Sequence, residues 1–288
     1  MKAQEIFGTY KEYIMPTYTK LPLVFVKGKG SRLWDIHNRV YLDFFPGWGV
    51  GNLGHCHPKV MQAVRDQVSK LIFIPNNYYH LPQAKLAKEI VYRSYPGKVF
   101  FCNSGAESNE AAIKFSRKFG RGRYEIITFD NSFHGRTLAA LAATGQKKYQ
   151  DGFAPIPEGF KTIQFNDIEA AKFAITDKTI AIMLELIQGE GGVNVARKDF
   201  VLELRKLCDE KNLLLIIDEV QTGIGRTGKF FCYQHYGITP DIMTLAKSLG
   251  GGLPIGAMVV KKEIADTLGP GMHASTFGGS PLVCRAAL

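Results

Sequence analysis

The chain has 288 residues, enough to bury a large hydrophobic core, and its 45% hydrophobic and 22% charged residues are ordinary for a globular protein. Five cysteines at scattered positions argue against a disulfide framework and indicate a reducing, cytoplasmic location. The formal net charge of +10 raises the question of nucleic acid, but the basic residues are spread along the chain, so we expect no nucleic-acid partner.

The N-terminal region and the histidines disfavour two further classes of protein. Residues 1–30 carry charged side chains and no continuous apolar run, and no stretch reaches the ~20 apolar residues of a membrane span, so we expect neither a signal peptide nor a membrane partner. His55 and His57 flank Cys56, but adjacent residues seldom close a tetrahedral metal site, and no second pair lies at ligand spacing. We therefore expect no metal.

Residues 22–45 are the first region with a clear strand pattern. Three short runs at 23–26, 32–36 and 40–44 are separated by glycines and by a His-Asn pair. Because such residues favour tight turns, the pattern predicts an antiparallel meander.

Strands alternate with helices from residue 58 onward. The predicted strands lie at 98–102, 124–129, 161–165, 180–185, 213–218, 241–245 and 256–260. The predicted helices lie at 58–70, 82–94, 106–119, 135–143, 166–174 and 199–211. Several strands are apolar on both faces, which is typical of a mainly parallel sheet with helices on both sides. We therefore predict an α/β fold with an N-terminal β appendage.

The last nine residues, 280–288, read as the beginning of another helix. Pro281 suits the first turn, and mostly apolar residues follow it. Because such a helix needs a packing partner and no later segment supplies one, we expect the chain to be truncated.

The segment 103–108 leads from a predicted strand directly into a helix. In sheets of this kind, binding sites form beyond the carboxyl ends of the strands. The small residues of this segment would let a phosphate approach the free N–H groups of the helix N-terminus. An equally good interpretation is that Ser104 or Asn103 only caps the helix.

Phe133 and Arg136 follow the next predicted strand. An aromatic ring beside an arginine could stack on a planar ligand while the guanidinium binds a carboxylate through two hydrogen bonds. The alternative is a core phenylalanine beside a surface charge.

Two ionisable residues end apolar strands, Asp218 and Lys247. A buried acid is costly unless a cation pairs with it, and a protonated pyridine nitrogen is such a cation; otherwise the acid would cap a loop. Burial of the lysine would lower its pKa and make the amine a nucleophile for a carbonyl, whereas the alternative is a side chain that reaches solvent.

The glycine-rich segment 223–230 nearly matches two nucleotide-binding motifs. The phosphate loop of nucleotide hydrolases needs Ser or Thr at the position of Phe230. The dinucleotide motif should open a helix directly after its strand and be followed by an acid ~20 residues later, but Asp241 comes too early. We therefore reject both interpretations.

The order of these motifs closely resembles that of class III aminotransferases, and the resemblance covers nearly the whole chain. The matching segments are GWG at 47–49, LGHCHP at 53–58, SGAES at 104–108, FHGRT at 133–137, ELIQGEGG at 185–192, DEVQTG at 218–223, AKSLGGG at 246–252 and STFGG at 275–279. Within the family, residues 76–79 and 273–277 look most like those of acetylornithine aminotransferases.

The resemblance implies a pyridoxal-phosphate (PLP)-dependent transferase fold of type I, with PLP as the cofactor. Residues 1–55 would be part of a small domain, 56–280 the large PLP-binding domain, and 281–288 the start of a helix leading to a C-terminal small domain outside the chain.

The resemblance also implies a role for each motif residue. Lys247 would bond to the cofactor and move a proton between substrate and cofactor, and Asp218 would keep the pyridine nitrogen protonated. The other cofactor-binding residues would be Gly105, Ala106, Phe133, Glu219, Val220, Gln221 and, from the neighbouring subunit, Thr276. The substrate-binding residues would be Arg136, Ser275 and Glu190, the last pairing with an arginine of the C-terminal region.

The implied reaction moves the terminal amino group of N2-acetylornithine to 2-oxoglutarate, giving N-acetylglutamate semialdehyde and glutamate, as in arginine biosynthesis. The implied assembly is a homodimer with a shared active site. Ornithine, succinylornithine and 4-aminobutyrate aminotransferases share these motifs and remain open. A further alternative is an inactive fragment that keeps the fold without turnover.

Overall fold

Helix α1 (Ala3–Tyr13) begins the computed structural model, which describes residues 2–288. The antiparallel meander predicted after it is confirmed and consists of β1 (Phe25–Lys29), β2 (Arg32–Asp35) and β3 (Val40–Leu42). The turn between β2 and β3 contains Asn38 in the left-handed region, which asparagine tolerates better than most residues. Helix α1 was not predicted, and no residue of it is buried.

Seven strands form the central sheet. In sheet order they are β4 (Gly97–Cys102), β12 (Gly256–Lys261), β11 (Ile242–Leu245), β10 (Leu214–Asp218), β7 (Thr179–Leu184), β5 (Glu125–Phe129) and β6 (Phe160–Ile163). Neighbouring strands are parallel except at β12, which runs antiparallel to both β4 and β11. The predicted α/β fold with a mainly parallel seven-stranded sheet is therefore confirmed.

Helices cover both faces of this sheet. They are α2 (Pro58–Val68), α3 (Leu81–Arg93), α4 (Gly105–Phe119), α5 (Leu138–Ala143), α6 (Lys147–Gln150), α7 (Ile168–Ala174), α8 (Lys198–Lys211) and α9 (Pro281–Ala287). A small hairpin pairs β8 (Ile187–Gln188) with β9 (Asn194–Val195), and 3-10 turns lie at Cys232–His235, Lys247–Gly250 and Lys262–Thr267.

Two of the predicted features were wrong. The helix expected at 135–143 begins only at Leu138, because Gly135 has a φ of +141° and Thr137 is extended. The C-terminal helix was expected to lack a packing partner, but α9 packs against α2 and α3. Its partners come from earlier in the chain and bury Pro281, Cys284 and Ala286.

The alternation of side chains along the strands divides the buried residues between two hydrophobic cores. On β10, Ile216 packs on the side covered by α4, whereas Ile217 packs on the side covered by α8. Because both faces of the sheet are covered, polar side chains gather where the strands end. No helix among the described residues is long and apolar enough to cross a membrane.

Candidate active site

A cavity of about 490 Å³ opens at the carboxyl ends of β4, β5, β7, β10 and β11. These strands run in the same direction, so the residues that follow them meet at one edge of the sheet. The cavity is lined by the sequence-predicted residues Gly105, Ala106, Phe133, Arg136, Glu190, Asp218, Val220, Gln221 and Lys247.

Asp218 is a buried acid that borders the cavity and is 4% exposed. Its Oδ2 accepts hydrogen bonds from Asn109 Nδ2 and from His134 Nδ1, both at 2.8 Å, and its Oδ1 accepts one from the Val220 amide at 3.0 Å. These donors compensate for part of the cost of burying a carboxylate. The carboxylate still adds negative charge to the cavity and so favours a cationic ligand group there.

His134 is buried beside Asp218 and also borders the cavity. Burial alone would lower the pKa of His134, but the hydrogen bond and the charge of Asp218 raise it above its ordinary value. The hydrogen bond between His134 and Asp218 therefore fixes the orientation of both the imidazole and the carboxylate.

Lys247 lies at the opening of the 3-10 turn that follows β11. Its backbone adopts a left-handed conformation, with a φ of +47°, which costs a lysine about 1–3 kcal/mol and is tolerated only where the surroundings impose it. Burial lowers the pKa of the amine, although the nearby carboxylates of Asp218, Glu185 and Glu190 oppose that shift. The side chain lines the cavity rather than extending into solvent.

The N-terminus of α4 forms another wall of the cavity. Ser104 caps the helix by accepting a hydrogen bond from the Glu107 amide at 3.1 Å. This is the capping role that the second interpretation of the segment 103–108 expected. The amides of Gly105 and Ala106 lie in the first turn, where N–H groups have no acceptor within the helix. A Cβ atom at Gly105 would lie 2.6 Å from Cγ1 of Val220, so glycine allows the helix to begin this close to the end of β10.

Phe133 and Arg136 border the cavity on the side of β5. The Phe133 amide donates to Glu185 Oε2 at 2.9 Å, which ties this loop to the end of β7. Glu185 is buried, and burial raises its pKa to about 8. Arg136 is exposed at the cavity edge, and its guanidinium carbon lies 3.8 Å from the ring centroid of Tyr149.

Three sequence-predicted residues do not line the cavity. The Glu219 side chain points away from the cavity and accepts hydrogen bonds from the amides of Cys232 and Tyr233. Burial raises the pKa of Glu219 to about 7. Ser275 Oγ accepts a hydrogen bond from Asn103 Nδ2 at 3.1 Å and so lies one side chain away from the cavity wall. Thr276 is exposed.

Four residues of the site were missed by the sequence reasoning, namely Asn109, His134, Tyr149 and Glu185. Glu185 had a signal, since it follows five apolar residues of a strand just as Asp218 does. His134 lies within the matching segment FHGRT, where no role was assigned to it, whereas Asn109 and Tyr149 are recognised only by their contacts with other loops and strands.

The glycine-rich segment 223–230 does not form a nucleotide site of either rejected type. Its residues form turns, and a short 3-10 turn follows in place of the α-helix that both motifs require. Among residues 2–288, no three His, Cys, Asp or Glu side chains are grouped as a metal site.

The sequence profile of the family Aminotransferase class-III matches residues 13–288. The chain belongs to the class-III aminotransferases. It is therefore an aminotransferase with the PLP-dependent fold, and the resemblance found in the sequence is confirmed.

Individual class-III aminotransferases cover nearly all of the chain. An acetylornithine aminotransferase of Methanocaldococcus jannaschii is 58% identical over 283 residues, which are 96% of this chain and 71% of that protein. A succinylornithine transaminase of Yersinia pestis is 47% identical over 290 residues, covering 97% of this chain and 70% of that protein. The crystal structure of ornithine aminotransferase from Toxoplasma gondii superposes with a TM-score of 0.96 at 35% identity, over 100% of this chain and 70% of that one.

The class-III family implies PLP, and the residues at the cavity fit this cofactor. The buried carboxylate of Asp218 suits a protonated pyridine nitrogen, and the first turn of α4 suits a phosphate. Lys247 supplies an amine whose pKa is lowered by burial. All three groups border the same cavity.

Proposed function

We propose that this chain uses PLP to transfer the terminal amino group of N2-acetylornithine to 2-oxoglutarate, giving N-acetylglutamate semialdehyde and glutamate. The observation that carries the proposal is that Lys247 and Asp218, which end neighbouring strands, border one cavity. The choice of donor rests on the acetylornithine aminotransferases that are 50–58% identical to the chain.

The cavity residues would divide the binding of PLP between them. Gly105 and Ala106 would donate their amides to the phosphate, and Asp218 would accept a hydrogen bond from the pyridine nitrogen. The ring would lie between Phe133 and Val220. When bound, PLP supplies an electron-withdrawing ring that weakens a C–H bond of the amino donor.

Gln221 and Glu219 complete the proposed cofactor-binding residues. Gln221 lines the cavity and would hydrogen-bond the ring hydroxyl; its Nε2 already donates to the carbonyl of Trp48 at 3.1 Å. Glu219 would act indirectly, because its hydrogen bonds to the 3-10 turn fix the chain that follows Asp218.

Lys247 would act as nucleophile and base. Because burial lowers its pKa, the neutral amine is present at a lower pH than for an exposed lysine. The same Nζ atom would take a proton from one carbon and return it to another. His134 would keep the Asp218 carboxylate in place during these proton transfers.

Arg136 would bind the carboxylate of the amino donor. Its guanidinium borders the cavity, and a guanidinium can form two parallel hydrogen bonds with a carboxylate. Glu190, on the opposite loop of the cavity lining, is a negative group that would select between the amino donor and the dicarboxylate acceptor. N2-succinylornithine is the second candidate donor, supported by the relatives that are 47% identical.

We further propose a homodimer with a shared active site. Thr276 and Phe277 are exposed on the chain surface, and Tyr78 and Tyr79 are exposed near the loop that holds them. Clustered exposed aromatic residues favour burial against another protein surface. In such a dimer, Thr276 would reach the cofactor of the partner subunit, and Ser275 would lie near the substrate.

The test is the visible absorption spectrum of the purified chain mixed with PLP. We expect an absorption band that requires Lys247, is lost in Lys247→Ala, and disappears when N2-acetylornithine is added. Lys262→Ala is the matched control, because Lys262 is exposed and remote from the cavity. A folded chain without the band would contradict the cofactor assignment, and a band that no donor changes would favour the inactive-fragment alternative.

A further inference from the structure

Tyr149 lies against the two side chains that border the substrate side of the cavity. The guanidinium carbon of Arg136 is 3.8 Å from its ring centroid, a short cation–π distance. The ring of Phe133 meets it edge-on, with centroids 5.7 Å apart and an interplanar angle of 84°. Tyr149 therefore touches both the proposed ring-stacking residue and the proposed carboxylate-binding residue.

Within the part of the chain that the structure describes, Arg136 forms neither an ion pair nor a side-chain hydrogen bond. Its aromatic neighbours are thus the contacts that orient it, with Tyr149 much nearer than Phe133, whose ring centroid is 5.7 Å away. Stacking occupies the face of the guanidinium and leaves the N–H groups in its plane free. Those N–H groups are the donors that a carboxylate needs.

The position of Tyr149 is fixed by its own helical turn. Gln146 Nε2 donates to the carbonyls of Asn131 and Ser132, at 3.3 and 3.1 Å. Gln150 Nε2 donates to two carbonyls at the end of α5, at 3.1 and 3.0 Å. These four bonds tie α6 to the start of the loop that carries Phe133 and Arg136 and to the C-terminal half of α5, so the backbone that carries Tyr149 is held in place.

We propose that Tyr149 is a positioning residue that sets the preference for carboxylate-bearing amino donors, by holding the Arg136 guanidinium with its N–H edge available to the cavity. The inference rests on the proposed role of Arg136. A side chain without a ring at position 149 would leave that guanidinium free to rotate into solvent. The donor would then have to order it on binding, which weakens binding without altering the chemistry that follows.

The experiment compares two amino donors in the full chain loaded with PLP. N2-Acetylornithine carries the carboxylate, whereas N-acetylputrescine has the same chain and terminal amine without it. We expect Tyr149→Leu to raise KM for N2-acetylornithine by about two- to thirtyfold, the range that cation–π contacts span between exposed and desolvated sites. The kcat for this donor and the KM for N-acetylputrescine should stay within about twofold of the original values.

Two matched variants separate the stack from other effects. Tyr149→Phe keeps the ring and should restore the KM of the original chain. Lys148→Ala removes an ammonium 4.7 Å from the same ring but leaves the stack with Arg136 intact, so it should change KM less than Tyr149→Leu does. The inference would be overturned in favour of a structural role if Tyr149→Leu raised KM equally for both donors. It would also be overturned if Tyr149→Phe raised KM for N2-acetylornithine as much as Tyr149→Leu does.

Arg136→Gln distinguishes failure of this inference from failure of the proposed function. If Arg136→Gln leaves the KM for N2-acetylornithine unchanged, the proposed substrate contact itself is wrong. If Arg136→Gln raises that KM and Tyr149→Leu does not, only the role of Tyr149 is wrong. The dissociation constant of N2-acetylornithine, measured by calorimetry in Lys247→Ala chains with and without Tyr149→Leu, should show the same increase without turnover.

Discussion

His134→Leu removes the imidazole that orients Asp218 while keeping a buried side chain of similar size. The lost contact is the 2.8 Å hydrogen bond from Nδ1 to Asp218 Oδ2, which leaves that oxygen with Asn109 as its remaining donor. Hydrogen bonds to charged groups contribute about 1.5–3 kcal/mol. We therefore expect the free energy of unfolding to fall by about this amount, and the affinity for PLP to fall with it.

The loss should depend on pH, and the sign follows from the pKa of His134. Burial would lower that pKa, but Asp218 raises it above the ordinary value of 6.5. A histidine whose pKa is raised in the folded state stabilises the protein fully below pH 6.5 and less as pH rises through the folded value. The difference between the original chain and His134→Leu should thus be larger at pH 6 than at pH 9.

Equilibrium unfolding in urea, followed by circular dichroism at several pH values, measures this difference. Thr244→Val is the matched control, because Thr244 pairs with Asp218 in the sheet register and its buried hydroxyl has no hydrogen-bonding partner among the described residues. We expect this control to lose little or no stability. The reasoning would be refuted if His134→Leu matched the control, or if its loss of stability increased with pH.

Three further predictions concern Glu185 and Gly105, which border the cavity, and Asp241, which precedes β11. Glu185→Gln should gain stability relative to the original chain as pH rises from 4.5 to about 8, because the buried carboxyl group resists ionising over that range. Urea unfolding at several pH values measures this, and the prediction would be contradicted if the free energies of unfolding of the two chains changed with pH in the same way. Asp241→Ala removes the 2.7 Å ion pairs to Arg205 and Lys261 and leaves the buried Leu215 amide without its acceptor. Because Arg205 keeps its ion pair with Asp209, we expect a cost of about 1–3 kcal/mol in urea unfolding, and a loss below about 0.5 kcal/mol would count against it. Gly105→Ala places a Cβ atom 2.6 Å from Val220 Cγ1 and should weaken PLP binding in an absorbance titration, whereas Gly8→Ala, which meets nothing within 4 Å, should not.

The two acids at the end of β10, its last residue Asp218 and the following Glu219, illustrate how much a local pattern can predict. Asp218 and Glu219 are adjacent, and both were assigned to the cofactor. In the structure their side chains diverge: Asp218 faces the cavity, while Glu219 bonds to the amides of the 3-10 turn at 232–235. Successive side chains of an extended chain point in opposite directions, so this alternation predicts that only one of the two acids faces the cavity.

The sequence by itself determined the seven strands of the central sheet and most of the helices between them, the positions of Lys247 and Asp218 at strand ends, and the family. These properties depend on apolar periodicity and on motifs that are short and contiguous in the chain. The tertiary structure alone decided which side chains support them. His134 and Asn109 reach Asp218 across 84 and 109 residues. Helix α9 packs on α2 and α3, which come much earlier in the chain, and Tyr149 reaches Arg136 from a separate helical turn. Such contacts depend on how the sheet and its loops pack in three dimensions, which no local pattern records.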